Sequence, residues 1–168
     1  MSEPADPTPG AGPSAGGGLA FPPPDDTPGI GGPGFAGPAI IGVGIDVVEI
    51  AALEARLRRV PALRDRLLTP PERALSPASR AARVAAKEAV GKALGRPGDF
   101  SWQDVTVQRT PARRPYLVLT GATRTCAEKL GVTHLHLSLS HDGPIATAIV
   151  VAERTGTSPR PVDRGGHP

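Results

Sequence analysis

Two carboxylates in this chain lie in segments that a fold could bring together, and one of them lies among lysines. Asp46 ends an apolar run that begins at Ala39, and Glu88 lies in an Ala-rich stretch between Lys87 and Lys92. A carboxylate pair suits a hard divalent cation such as Mg²⁺, and neighbouring lysines suit the phosphate groups that such a cation binds. The pattern therefore favours a site for Mg²⁺ and a phosphorylated substrate.

Both carboxylates also have ordinary structural alternatives. Asp46 is a good N-cap for a helix that follows it, and Glu88 with Lys92 has the four-residue spacing of a weak ion pair on a helix surface. On the same helix Arg83 and Lys87 form one row, and Glu88 and Lys92 form the neighbouring row. The metal interpretation depends on the fold bringing Asp46 to Glu88.

Periodicity and local signals predict the elements that position these residues. Pro61 ends the helix that follows the first strand, Thr69 to Glu72 has the form of a capping box, and Gly95 stops the Ala-rich helix. The order of elements predicts the α+β class, with a mainly antiparallel sheet packed against helices. The predicted strands are 39–47, 105–107, 116–119, 133–141 and 145–152, and the predicted helices are 49–59, 77–94 and 121–130.

Composition divides the chain into a folded part and two tails. Residues 1–38 hold 10 of the 21 prolines and 10 of the 21 glycines, with four acids and no Lys or Arg. Such a segment buries too little apolar surface to offset its ordering entropy, so we predict that it is disordered. We also predict a flexible C-terminal tail over 155–168, which leaves 39–154 as a single folded domain.

Charge and cysteine content narrow the classes of partner and compartment. Residues 39–154 carry 17 Lys and Arg against 11 Asp and Glu, which favours an acidic partner. The whole chain has only five aromatic residues, so base stacking is weak and we expect no nucleic-acid partner. The sequence has one cysteine, Cys126, and it shows neither a basic and apolar leader nor a run of about 20 apolar residues. We therefore predict a cytoplasmic protein without a membrane segment.

The predicted strand over 133–141 adds polar side chains that could contact a substrate. His136, Ser138 and Ser140 share one face, which suits either phosphate or ribose contacts or a solvent-facing sheet surface. A zinc site made of His134, His136 and His141 is disfavoured, because His141 faces the other way and no Cys pair supports it. No nucleophile elbow is present. The Gly42-Val43-Gly44 segment also lacks the third glycine of a dinucleotide fingerprint.

Five segments of the predicted domain form an ordered set of motifs. They are GVGIDVVEI at 42–50, LLT at 67–69 with Glu72, AAKEA at 85–89 with KALG at 92–95, WQDV at 102–105, and HLSLSH at 136–141. The set resembles the holo-[acyl-carrier-protein] synthases, the small single-domain class of 4′-phosphopantetheinyl transferases. The resemblance implies transfer of the phosphopantetheine arm of coenzyme A to a serine of apo acyl carrier protein, with release of adenosine 3′,5′-bisphosphate. It also implies Mg²⁺ dependence, a role in fatty acid or polyketide synthesis, and a homotrimer with active sites between subunits.

The resemblance also implies roles for individual residues. Asp46 and Glu88 match the metal carboxylates, and Lys92 matches a lysine near the pyrophosphate and the attacking serine. The base that accepts the serine proton is Asp46, a metal-bound water or Glu88, and the sequence leaves all three open. Expected coenzyme A contacts are Arg83, Lys87, His136, Ser138 and Ser140. Expected docking residues for the acidic carrier protein are Arg56, Arg59, Arg64 and Arg66.

Three positions depart from the family pattern. Ala52 stands where a basic residue is common, and Val84 stands where an aromatic residue usually precedes the Ala-Ala-Lys-Glu segment. The stretch from Glu72 to Arg83 is also short, which predicts a reshaped adenine or 3′-phosphate pocket. These departures motivate an alternative, a non-catalytic module of the same fold that binds coenzyme A or a carrier protein. A basic nucleic-acid-binding protein is the third hypothesis.

Overall fold

The first strand of the domain and the Ala-rich helix form the centre of the fold. A computed structural model describes residues 19–21, 39–95, 98 and 100–155. In this part of the chain six strands and four α-helices follow one another. They are β1 (Leu19–Phe21), β2 (Ala39–Glu49), α1 (Ile50–Arg59), α2 (Pro61–Leu67), α3 (Pro77–Ala93), β3 (Val105–Arg109), β4 (Pro115–Leu119), α4 (Gly121–Lys129), β5 (His134–Asp142) and β6 (Ile145–Arg154).

The strands form two antiparallel sheets of three strands each. The first has the order β2-β6-β5, and the second has the order β1-β4-β3. β5 and β6 form the hairpin that the Asp142-Gly143 turn predicts, and β6 then returns beside β2, so that Asp46 lies opposite Ala148. The predicted α+β class with antiparallel sheets against helices is confirmed, although the strands divide between two sheets.

Small residues let α3 lie directly on the first sheet. Ala85, Ala86 and Ala89 are fully buried in the core cluster, together with Val150 from β6 and Leu117 from β4. A second buried cluster lies where α1 and α2 meet the first half of α3. Its larger members are Leu53, Leu57, Leu67, Leu68 and Val84. Val84 therefore packs in the core at the position where the family usually has an aromatic side chain.

The bounds of α3 follow from local signals. The Ser76 hydroxyl accepts a hydrogen bond from the Ser79 N–H at 3.3 Å, which makes Ser76 the N-cap, and Pro77 occupies the first helical position. After the helix, Gly95 adopts a φ of +77°, a left-handed conformation that glycine adopts without steric cost. The predicted helix over 77–94 is therefore confirmed to within one residue.

Three local predictions differ from the structure. β2 continues to Glu49, which is the residue at the N-cap position of α1, so Asp46 lies inside a strand and is not a helix cap. Pro61 ends α1 but also begins α2, because proline is tolerated at the first helical position. Leu19–Phe21 forms β1 within the segment predicted to be disordered, because it pairs with the edge of β4. The predicted C-terminal tail beyond residue 155 lies outside the described residues.

Candidate active site at the β2–α3 contact

Asp46 and Lys92 form the centre of the candidate site. Asp46 lies on the face of β2 that meets α3, and the Lys92 ammonium on α3 lies 2.8 Å from Asp46 Oδ1. The same Nζ donates to the Ile45 carbonyl oxygen at 2.6 Å. The Lys92 side chain is 32% exposed and that of Asp46 is 19% exposed, so the pair is open to a ligand at the edge of the sheet.

Glu88 lies one helical turn before Lys92 on α3, so the two side chains share a helix face. Its side chain is half-buried, and within the described residues it makes no hydrogen bond or ion pair. In that part of the chain no group of three or more His, Cys, Asp or Glu side chains could hold a metal ion. A cation between Asp46 and Glu88 would therefore need oxygen ligands from water or substrate as well.

Lys87 occupies a place that the sequence did not predict. Its ammonium is fully buried and lies 2.7 Å from the Glu72 carboxylate, which is 2% exposed. It also donates to the carbonyl oxygens of Leu67 at 2.8 Å and Trp102 at 3.0 Å. All three ammonium hydrogens are thus used inside the protein. A contact between Lys87 and coenzyme A stays a prediction, and it would require these bonds to be exchanged.

The buried pair ties three elements together. Glu72 Oε2 accepts from the Thr69 N–H at 2.9 Å, and Oε1 accepts from the Val107 N–H in β3 at 3.1 Å. Burial lowers the pKa of Lys87, while the charge of Glu72 opposes that shift. Glu72 is a residue whose role sequence reasoning missed. The capping-box pattern predicted only that Glu72 lies in the first turn of a helix. No local signal indicated an ion pair with Lys87, which is 15 residues further along the chain.

The remaining predicted coenzyme A residues do not meet Asp46 within one copy of the chain. Arg83 is buried in α3, with 3% of its surface exposed. His136, Ser138 and Ser140 lie on the outer face of the first sheet, since Leu135, Leu137 and Leu139 alternate with them and pack toward the core. His136 Nε2 contacts Glu153 Oε2 at 2.5 Å. The polar face predicted for this strand is therefore real, but it lies on the opposite side of the sheet from Asp46.

That outer sheet face is also apolar and exposed. Val43, Ile45 and Val47 alternate along β2 with side chains that are 54–56% exposed, and Ile145 and Ile149 extend the surface across β6. Contiguous apolar surface of this kind usually marks an interface. We call these five residues the outer apolar face.

Arginines cover the end of the molecule formed by α1 and α2. Arg56, Arg59, Arg64 and Arg66, the predicted docking residues, are all exposed. An adjacent cavity of about 360 Å³ lies between these helices and the start of α3. Its charged lining residues are Glu54, Arg58, Arg64, Arg73 and Arg80, of which Arg80 is held by Glu54 at 2.6 Å. This surface is basic, as an acidic partner requires.

Comparison with known proteins agrees with this arrangement. The sequence profile of the 4′-phosphopantetheinyl transferase superfamily matches residues 42–150. The holo-[acyl-carrier-protein] synthase of Beutenbergia cavernae is 57% identical over 115 residues, which cover 68% of this chain and 99% of that protein. That of Micrococcus luteus is 53% identical over 117 residues, covering 68% of this chain and 93% of that protein.

Solved structures of the same kind share the fold. The Helicobacter pylori holo-[acyl-carrier-protein] synthase in complex with coenzyme A has a TM-score of 0.59 at 31% identity and covers 66% of this chain and 98% of its own. The Neisseria meningitidis synthase has a TM-score of 0.64 at 30% identity, and the match covers 69% of this chain and 100% of that chain.

The matched profile and the shared α+β fold define the class as phosphopantetheine-transferring enzymes. The chain belongs to the holo-[acyl-carrier-protein] synthase family of 4′-phosphopantetheinyl transferases, which transfer phosphopantetheine from coenzyme A to acyl carrier protein. No helix in the described part of the chain is long and apolar enough to cross a membrane.

Proposed function

We propose that this chain transfers the phosphopantetheine arm of coenzyme A to a serine of apo acyl carrier protein in the cytoplasm, in a Mg²⁺-dependent reaction. The holo-carrier then serves fatty acid or polyketide synthesis. The observation that carries the site assignment is the contact between Lys92 and Asp46, on the helix and strand that also present Glu88. These three residues form the catalytic group of the proposal.

The donor set of the site fits Mg²⁺. Asp46 and Glu88 each offer carboxylate oxygens, and the half-buried Glu88 carboxylate has no partner among the described residues. Mg²⁺ usually takes one or two carboxylates and completes its shell with water and phosphate oxygens. When bound, the cation supplies positive charge to the pyrophosphate.

The reaction exchanges one phosphorus–oxygen bond for another. The serine oxygen bonds to the phosphorus of the phosphopantetheine arm, and the bond from that phosphorus to the bridging oxygen breaks. The bridging oxygen leaves with adenosine 3′,5′-bisphosphate, and the serine proton passes to a carboxylate of the Asp46 and Glu88 pair. Lys92 places a positive charge beside the departing phosphate. Phosphoryl transfer depends mainly on positioning and charge stabilisation of this kind.

We further propose a homotrimer in which neighbouring subunits complete each site. Two observations support this part of the proposal. The outer apolar face leaves Val43, Ile45 and Val47 exposed in a single copy, and His136 and Ser138 lie on that same face, away from Asp46. A neighbour packed on the face would cover the apolar residues and could bring the polar ones to its own Asp46.

The carrier protein is proposed to dock on the basic end of the molecule. Acyl carrier proteins are acidic, and the exposed arginines of α1 and α2 have the opposite charge. Rim charges of this kind act mainly on the association rate and its dependence on salt. Arg56 lies one helical turn after Ala52, so Arg56 can replace the basic residue that is common at that position.

Intact mass spectrometry of the carrier protein tests the function. The purified chain is incubated with coenzyme A, Mg²⁺ and an apo acyl carrier protein, and the carrier is weighed before and after. We expect a phosphopantetheine adduct that disappears with chelator. Asp46→Asn and Glu88→Gln should each slow adduct formation by at least about 100-fold, in the range for lost acid–base or charge-stabilising groups.

The matched control is Glu128→Gln. It removes one carboxylate from α4, where Glu128 pairs with Arg124 on the surface, and it should leave the rate unchanged. If a folded protein binds coenzyme A but modifies none of several apo carriers, the non-catalytic alternative replaces the proposal. Full activity of Asp46→Asn would show that the site has been assigned to the wrong residues.

A further inference from the structure

Strand β1 lies outside the part of the chain that the superfamily profile matches, yet it completes one of the two sheets. Its three residues run antiparallel to β4, with Leu19 opposite Leu119 and Phe21 opposite Leu117. β4 therefore has β3 on one edge and β1 on the other. The N-terminal extension supplies the partner for an edge that the matched domain leaves open.

The sequence around β1 has a strong change in composition on both sides. Gly16-Gly17-Gly18 precedes β1 and Pro22-Pro23-Pro24 follows it. Glycine weakens a strand and proline has no N–H to donate to a ladder, so strand-favouring sequence is confined to Leu-Ala-Phe. Leu-Ala-Phe is thus a defined apolar edge segment within a composition that otherwise disfavours strands.

The edge that β1 covers matters for the rest of the fold. β3 and β4 pack in the core, but without β1 the second edge of β4 would have no partner among the described strands. An open edge would also expose a row of N–H and C=O groups to any extended chain. The second sheet reaches the active-site helix, because Val107 in β3 donates to Glu72 and Glu72 holds Lys87 on α3.

We propose that Leu19–Phe21 is an intramolecular edge strand that docks on β4 and excludes other extended chains from that edge. The 17 residues from 22 to 38 connect β1 to β2. Fully extended, such a connection spans about 56 Å, which is ample to reach β4 in the same domain. A tethered segment also acts at a high effective concentration, so three residue pairs suffice where a free tripeptide would not bind.

Hydrogen exchange at β4 in the full chain tests this inference. Pro115 has no N–H, so Tyr116 to Leu119 contribute four amides, and alternate amides face β3 and β1. We expect all four to be protected in the full chain. Val107 donates its N–H to Glu72, so Leu117 opposite it directs its own N–H to β1, and Phe21 pairs with Leu117. Phe21→Pro removes the N–H that faces β4 at this pair, so the two amides that face β1 should exchange roughly tenfold faster or more, while the two that face β3 keep their protection.

Ala11→Pro is the matched control, because it places the same substitution in the extension but outside β1. It should leave all four amides unchanged. Adding a peptide of sequence GGGLAFPPP to Phe21→Pro should restore protection at the same two amides. Protected amides at β2 and β6 in every variant verify that the domain is folded.

Two results would overturn the inference. Equal exchange of all four amides in Phe21→Pro and the unchanged chain would show that β1 does not cover β4. A second test mixes isotopically labelled Phe21→Pro with an excess of unlabelled full chain. Regained protection of the labelled β4 would show that the strand comes from another copy, which contradicts the intramolecular assignment. No regained protection supports it.

Discussion

Gly44 in β2 lies directly against the backbone of Ala89 in α3. A Cβ atom on residue 44 would overlap the Ala89 carbonyl oxygen and lie 2.7 Å from its carbonyl carbon. Gly42 has the same relationship to Ala93 one turn further along the helix. The absence of two side chains thus sets the separation between β2 and α3, and that separation is what lets Lys92 reach Asp46.

Gly44→Ala should therefore both destabilise the fold and disrupt the site. The added methyl group would overlap backbone atoms of α3, and backbone atoms cannot rotate away as a side chain can. Helix α3 must therefore shift outward. We expect a loss of about 3 kcal/mol in the free energy of unfolding, at the upper end for an overpacked core. The transfer rate should fall even where the protein is still folded, because the Lys92–Asp46 distance increases. Chemical denaturation and the mass assay measure the two effects.

Gly91→Ala is the control for that prediction. A Cβ atom on residue 91 would lie 3.6 Å or more from the ring of Phe100, which is ordinary contact. Alanine also favours a helix interior over glycine by about 0.5–1 kcal/mol. Gly91→Ala should thus keep or raise stability and keep activity. Equal tolerance of both substitutions would show that close packing at Gly44 does not control the site.

The buried pair of Lys87 and Glu72 gives a second prediction. Lys87→Met removes the cation and leaves a buried carboxylate with only two backbone N–H donors, from Thr69 and Val107. Breaking a buried pair in this way typically costs about 3–5 kcal/mol. The double variant Glu72→Gln/Lys87→Met should be more stable than Lys87→Met alone, because no charge is then buried. Urea denaturation of the three proteins checks the order, and a less stable double variant would contradict it.

The lowered pKa of Lys87 predicts how stability depends on pH. The unfolded chain holds this proton up to about the ordinary value of 10.5, whereas the folded chain releases it at lower pH because burial disfavours the charge. Between those two pKa values the unfolded state binds more protons, so the Lys87 contribution to the free energy of unfolding rises with pH. Below both values it is constant.

The measurement compares the chain with Lys87→Met. The difference in unfolding free energy between them should grow in favour of the unchanged chain as pH rises toward 10.5. Its slope is at most about 1.4 kcal/mol per pH unit for one proton. A slope of the opposite sign would show that the attraction of Glu72 outweighs burial and that the pKa of Lys87 is raised.

The sequence predicted the parts of this molecule that local signals determine. Ser76 and Gly95 bound α3, and alternation assigned β5, because caps and period-2 patterns act over a few residues. The pair of Lys87 and Glu72 could not be found in this way. A lysine in an Ala-rich helix has the same local pattern whether it faces solvent or a carboxylate in another element. The separation of His136 from Asp46 likewise depends on which face of the sheet α3 covers, which is a tertiary property.

The outer apolar face predicts the behaviour of the chain in solution. Ile45 lies at the centre of this face and is 56% exposed. Ile149 lies beside it on β6, and the proposed trimer would bury both residues. Ile45→Asp would place a charge in that contact, and loss of a central apolar anchor weakens association on the order of 100-fold or more. We expect a shift from trimer to monomer in light scattering and a parallel loss of transfer activity.

Val60→Asp is the matched control for that substitution. Val60 is 45% exposed at the junction of α1 and α2, away from the sheet, so the same change there should leave the assembly intact. A monomeric and active unchanged chain would contradict the proposed trimer. A monomeric Ile45→Asp variant with full activity would show that each copy carries a complete site. Loss of both assembly and activity in Ile45→Asp would support a trimer whose sites need neighbouring subunits. His136 lies away from Asp46 in the same copy, so His136→Ala should then lose activity while the trimer persists.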